Sequence, residues 1–401
     1  MRDSNSKGPL AGIKVLDLSS YIAAPYGCTL LADLGAEVVK VEPPGGDTLR
    51  HYPSSLQQES RAFVGINRSK CDIVVDAKRP EGALILHRLV ASADVLVHNF
   101  RPSVPARIGL DYPHLRTINH RLIYCALSGY GDSGPMKDKA GYDQVLQSMT
   151  GICAFQGESK NQPEIVYGSP VDFYAASMVA CAVTAALYQR ERTGEGQYVS
   201  VSLLASALSM QSTRFVWAES ERRDVSRDLR SGGITGIHPT KDSQIYLSAN
   251  TAHFWRALCE LVGLPEMAEN PNYDSVRKRA ERADEIVPKI RSALLARTAV
   301  EWEQVFGERV PNCAVRRIED MFDDPQVLSQ GLVETFEHAT VGMYRGLANP
   351  IKFGACEASE SFAAPTLGQH TDEILIHYGF SKDEIENFRK AGVILPTRPV
   401  G

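Results

Sequence analysis

Residues 13–42 read IKVLDLSSYIAAPYGCTLLADLGAEVVKVE. The run at 13–18 is short and nearly all apolar, as a strand buried on both faces must be. The pattern at 26–33 is helical and reaches Gly35, a residue suited to stopping a helix. A second short strand, EVVKVE at 37–42, follows and ends in a Pro-Pro-Gly-Gly turn. The unit then repeats. DIVVD at 72–76 is strand-like, 80–93 helical with Pro80 at its opening, DVLVH at 94–98 strand-like, and LIYCAL at 122–127 closes the series. Such alternation specifies an α/β fold with a parallel, doubly wound sheet. Ligands of these sheets lie beyond the carboxyl ends of the strands, which here means the loops 19–25, 99–104 and 128–135.

Farther along, a long helix opens after Gly168–Ser169–Pro170, and QYVSVSLL at 197–204 is strand-like. The charged stretch 219–234 reads as a linker. Beyond it come a short strand at 244–248 and helices near 251–262, 275–295 and 299–307. The tail carries a helix at 369–378, and then Ser381 with Glu384 three residues later, a capping box. The expected division is a large domain over 1–224, a smaller α+β domain over 225–335, and a segment 336–401 returning to the large domain.

The chain has 401 residues, 43 % hydrophobic and 23 % charged, with a net charge of −5. That balance excludes a polycationic nucleic-acid binder. The first residues lack the apolar core of a secretory signal. The nearly apolar stretch 173–188 is shorter than a membrane span and reads as a buried helix. Eight cysteines are scattered without a CxxC pair, as reduced thiols of a cytoplasmic protein would be. The first loop, SSYIAAPYG, lacks GxGxxG, and no GxxxxGK[ST] occurs, which disfavours a dehydrogenase and a P-loop NTPase. No HxH or HExxH cluster suggests a metal site.

The most informative stretch is YGSPVDFYAAS at 167–177. Ser169 suits a helix N-cap, Pro170 the first helical position, and Asp172 falls in the first turn. Asp172 completes a capping box on one reading. On another, the helix dipole and free backbone N–H groups keep it ionised, so that it can attack an activated carbonyl. The residues alone leave both open.

Five blocks, at 11–47, 67–82, 95–112, 122–151 and 168–204, followed by the tail 368–394, together resemble the family III CoA-transferases, which include formyl-CoA and L-carnitine CoA-transferases. The resemblance implies a Rossmann-like large domain built from both ends of the chain, a small domain, and an interlocked homodimer. It places the nucleophile at Asp172. It carries CoA contacts onto Ala23, Val75, Lys78, Asn99, Phe100 and Arg107, and sets Tyr142 and Asp143 beside the thioester. These are suitable types, since CoA needs cations for its phosphates and a flat apolar surface for adenine. Arg101 adds a further cation at the same strand end. Formyl-CoA transferase has Gln in place of Ile22 and Arg in place of Pro43, and its glycine-rich lid has only 231–236 as an analogue here. Oxalate and formate are therefore not the expected substrates.

The expected reaction is transfer of CoA from an acyl-CoA, with succinyl-CoA the favoured donor, to a small carboxylic acid through a covalent aspartyl intermediate. No permanently bound cofactor, nucleic acid or membrane is expected. Arg101, or His238 in the 231–240 loop, is a candidate contact for the acceptor. Two rivals remain: a 2-methylacyl-CoA racemase and a non-catalytic CoA-binding protein. Racemisation needs two acid/base groups about the α-carbon. Racemase relatives carry a His where this chain has Tyr142, whose ordinary pKa near 10 suits that task poorly.

Overall fold

The computed structural model describes residues 7–56, 58–156, 162–222, 233–357 and 359–395. Six strands form one parallel sheet: β1 (Lys14–Asp17), β2 (Glu37–Glu42), β3 (Lys70–Val74), β4 (Val95–His98), β5 (Ile123–Ser128) and β6 (Tyr198–Ser202). Their spatial order is β3-β2-β1-β4-β5-β6. Every neighbouring pair is parallel, with Val15 opposite both Val38 and Val95. The order reverses between β1 and β4, and the crevice at that reversal is where such sheets take ligands. The sheet has one more strand than the series ending at 127. β6 pairs beside β5 and ends at Ser202, where its side chain caps the helix Leu203–Ser209.

Two apolar cores lie on the two faces of this sheet. One gathers Val15, Val38, Val97 and Cys125 with the helices Ala23–Asp33 and Pro170–Thr193. The other gathers Leu16, Val39, Ile73 and Leu96 with the helices Pro80–Val90, Thr371–His377 and Lys382–Lys390. Alternate residues of each strand thus enter opposite cores, which is why the strands read as continuous apolar runs. The tail joins the sheet as well: Asp76 N–H donates to Val393 O, and His370 N–H to Asp72 O.

The helix Pro170–Thr193 is long and apolar enough to cross a membrane by length and composition. It packs on Ala23–Asp33 through Val171, Ala175, Val179 and Val183, all buried. Gly27 makes the close approach possible, because a Cβ there would sit 2.9 Å from Val179 Cγ1.

The chain divides into two compact units, Met1–Trp217 with Leu328–Gly401, and Ala218–Val327. Residues 218–222 thus group with the smaller unit, and 328–335 with the larger, eight residues inside the boundary drawn from the sequence. The larger unit includes the antiparallel hairpin of β10 (Val333–His338) and β11 (Gly342–Leu347). The smaller unit has a three-stranded antiparallel sheet of β7 (Gly236–Pro239), β8 (Gln244–Leu247) and β9 (Asn312–Ala314). Its core is built on Trp255, Ile286, Ile290, Trp302 and Phe306.

Candidate active site

The loops after β1 and β4 flank the reversal point and are sewn together. Asn99 Oδ1 accepts from Ser20 N–H at 3.0 Å, and Asn99 Nδ2 donates to Ser20 O at 2.7 Å. Both polar ends of Asn99 are therefore spent on the neighbouring loop, and the residue serves as a clamp between the two walls of the crevice. With Tyr21, Phe100, Arg101 and Tyr142 it lines a cavity of about 200 Å³, floored by Ser128, Gly129 and Gly141. Lys137 and Lys139 also line it, so three cations converge there with two tyrosines. These two lysines escaped the reading of the sequence. The run MKDKAGYD at 136–143 held the signal, but only the fold shows that it folds back over the ends of β1 and β4.

Gly129 and Gly141 touch backbone to backbone. A Cβ on Gly141 would lie 2.7 Å from Gly129 Cα, and one on Gly129 would lie 2.9 Å from Gly141 Cα. Neither contact can be relieved by rotating a side chain. Gly141→Ala is expected to cost about 1–3 kcal/mol. A thermal midpoint checks this.

Asp172 lies in the first turn of its helix, mostly buried, with a carboxyl pushed up to about 7 by burial first and by the charge of Asp143 second. This corrects the expectation of a carboxylate kept ionised by free N–H groups. Those groups are occupied: Val171 N–H and Asp172 N–H donate to Asp143 Oδ2 at 2.7 and 3.1 Å. Ser169 does not cap either. It sits in the left-handed region at φ 57°, directly after Gly168 at φ 93°, and its side chain makes no cap hydrogen bond. Asp143, 4 % exposed and held by Gln147, caps the helix from another segment of the chain. It is thus a buried neighbour of Asp172 that holds the start of its helix.

The other expected contacts are scattered. Ala23 is buried at the start of its helix, and the Val75 side chain is inside the sheet core, so that residue offers only its main chain at the end of β3. Lys78 and Arg107 are exposed and form no ion pair among the described residues, but neither lines the cavity of Arg101. Phe100 stacks on His98 with ring centroids 5.2 Å apart. It also lines a second, adjoining cavity of about 400 Å³ with Tyr112, Tyr124 and Tyr198. His238 is no loop residue. It is fully buried in β7, its Nε2 3.0 Å from Ile234 O, within the smaller unit. Of the lid analogue 231–236, residues 231 and 232 lie outside the described residues, and Gly236 begins β7.

Comparison with known proteins identifies the chemistry. Residues 10–371 match the model of CoA-transferase family III. The chain belongs to that family. It is 31 % identical to the mouse (Mus musculus) protein named succinyl-CoA:glutarate CoA-transferase, over 98 % of this chain and 92 % of that one. It is 30 % identical to succinate–glutarate CoA-transferase of Agrobacterium fabrum, over 92 % and 96 %. A crystal structure of a CAIB/BAIF family protein from Brucella suis superposes with a TM-score of 0.79 at 27 % identity, covering 93 % of this chain and all of that one. This family III chain is therefore a CoA-transferase, an enzyme moving CoA between carboxylic acids.

Proposed function

We propose that the transfer proceeds through Asp172. Its carboxylate oxygen attacks the thioester carbonyl of the donor, the C–S bond breaks, and CoA leaves as thiolate. The thiolate attacks the aspartyl carbonyl of the resulting anhydride and releases the donor acid, leaving an aspartyl-CoA thioester. The acceptor carboxylate then attacks that thioester, expelling CoA thiolate and forming a second anhydride, and the thiolate finally attacks the acceptor's carbonyl in that anhydride, which frees the Asp172 carboxylate. An activated acyl group, thioester or anhydride, persists at every step, so no ATP is consumed. The observation that carries this reading is a mostly buried carboxyl at about 7, poised between neutral and ionised at physiological pH. Its helix is fixed by a cap from Asp143, beside Tyr142 on the cationic cavity. Arg101, Lys137 and Lys139 supply the positive charge for the CoA phosphates or for a second carboxylate on the acid.

A succinyl donor and a short dicarboxylic acceptor are the substrate pair this reading favours, supported by the names of the mouse and Agrobacterium relatives. That Tyr142, and not a histidine, stands on this cavity supports transfer over racemisation. A homodimer is proposed as well. One face of the helix Pro170–Thr193 leaves Phe173, Met178 and Tyr188 exposed, an apolar stripe that a second copy of the chain would cover.

The test is chemical trapping. Incubation with succinyl-CoA, then hydroxylamine or borohydride, is expected to modify the peptide carrying Asp172, as read by mass. Unmodified Asp172 in an enzyme that turns over would remove the covalent mechanism.

A further inference from the structure

Tyr21 is a bulky residue in the left-handed region, at φ 67°. Side chains of this size rarely adopt that conformation, and where they do the surroundings must impose it. Here the imposing groups are visible. Tyr21 N–H donates to Asp47 Oδ1 at 3.1 Å, and Asp47 Oδ2 pairs with Lys40 Nζ at 2.9 Å. Lys40 Nζ also donates to Ser19 O at 2.8 Å, and Asn99 holds both backbone groups of Ser20. Lys40 and Asp47 are both at most 1 % exposed. A buried ion pair is a poor source of net stability, and its better-attested use is to fix one arrangement over others. The arrangement fixed here is the ring of Tyr21. It lies edge-on to Tyr142 at 5.5 Å and to Tyr52 at 6.0 Å. Tyr142 directly precedes Asp143, whose carboxylate holds the amides of Val171 and Asp172.

We propose that Tyr21 is a positioning residue for acyl transfer: the Lys40–Asp47 pair and the Asn99 clamp force its backbone into the left-handed region so that its ring braces Tyr142, and through Asp143 the turn bearing Asp172. The inference rests on the reading of Asp172 as the nucleophile. It explains why a fully buried lysine stands among the valines of β2. It also separates Tyr21 from a mere packing residue, because packing alone gives no reason to hold a tyrosine in a conformation that glycine adopts freely.

That contrast supplies the test. Tyr21→Gly accepts φ 67° without strain and removes the ring with its hydroxyl, so relief of backbone strain offsets the lost contacts and its thermal midpoint is expected to stay close to that of the parent. Labelling of Asp172 by acyl-CoA, and kcat/KM for acyl-CoA, are expected to fall roughly 100-fold, the scale of a misplacement near 1 Å. Tyr21→Phe, which keeps the ring, is expected to recover most of that loss. Parent-like kcat/KM in Tyr21→Gly, or a loss that Tyr21→Phe does not recover, would overturn the proposal. If the parent enzyme turns over with Asp172 never labelled, the nucleophile reading fails instead, and kcat/KM of the two variants still decides the role of Tyr21.

Discussion

Asp172→Asn is expected to lose at least about 10⁴-fold in kcat, the scale seen when a member of a covalent catalytic unit is removed, while the KM for acyl-CoA changes little. An amide oxygen has no anionic form with which to attack the thioester. The cationic cavity proposed to take CoA is made by other residues and remains intact. Steady-state kinetics and the trapping experiment check this together. The pH profile follows from the same carboxyl. Burial, and then the charge of Asp143, raise it to about 7, so the neutral acid dominates below that value and the attacking form is scarce. The transfer rate is expected to fall about tenfold per pH unit below 6 and to level off above 8. Stability moves the other way. A carboxyl whose folded value exceeds its unfolded value favours the folded chain at low pH, and that contribution is lost as pH rises from about 4 through about 7. Asp172→Asn is therefore expected to melt higher than the parent at pH 8, with the gain gone by pH 4. A variant that melts lower at pH 8 would contradict the burial argument.

The legible part of this molecule was the part whose physics is local in sequence. Short apolar runs separated by helical patterns identify parallel strands because both faces of each are covered, and β1 to β5 appear within a few residues of their expected places. β6, strand-like at 197–204, fell outside the series because the long helix Pro170–Thr193 precedes it and its exposure does not follow one pattern. Tyr198 and Ser200 are exposed and Val201 is buried, so its pattern is mixed. The capping box at Ser381 and Glu384 also stands, both of its hydrogen bonds lying within four residues.

What stayed hidden depends on partners distant in the chain. The sequence shows a serine placed to cap the helix of Asp172, whereas the cap comes from Asp143, 28 and 29 residues upstream of the amides it accepts from. Asn99 reads as a ligand contact until Ser20, 79 residues away, takes both of its polar ends. Resemblance to a family singled out Asp172, Asp143 and Asn99; the hydrogen bonds show Asp143 holding the start of the Asp172 helix and Asn99 joining the two loops. The lysines of EVVKVE and NRSKCD are the clearest case: Lys40 interrupts β2 and Lys70 opens β3, and nothing local states what charge awaits either.

Lys70→Met is accordingly expected to destabilise the larger unit by about 3–5 kcal/mol, the cost of leaving a buried charge uncompensated. Lys70 Nζ donates to Asp17 Oδ2 at 2.8 Å, Pro25 O at 2.7 Å and Asn67 Oδ1 at 2.8 Å, and its side chain has no exposure at all. Methionine fills the space of the stem but leaves all three acceptors without that donor. Burial alone would push the Asp17 carboxyl up. Lys70, and after it Lys40, overcome that tendency and hold it at about 2. The stabilisation from Asp17 is therefore present above about pH 4 and lost as the pH falls through 2, so the penalty of Lys70→Met is expected to be full at pH 7. The pair is not expected to behave as two independent residues. In Asp17→Leu with Lys70→Met no carboxylate is left stranded, and the double variant should be less destabilised than the sum of the singles. It should still be weaker than the parent, because Ser19 N–H, which donates to Asp17 Oδ1 at 3.0 Å, loses its acceptor. Denaturant unfolding of the four proteins measures the coupling. Additive losses would mean that Lys70 acts on the strand by itself, and that the base of the ligand loop is held by packing instead of by charge.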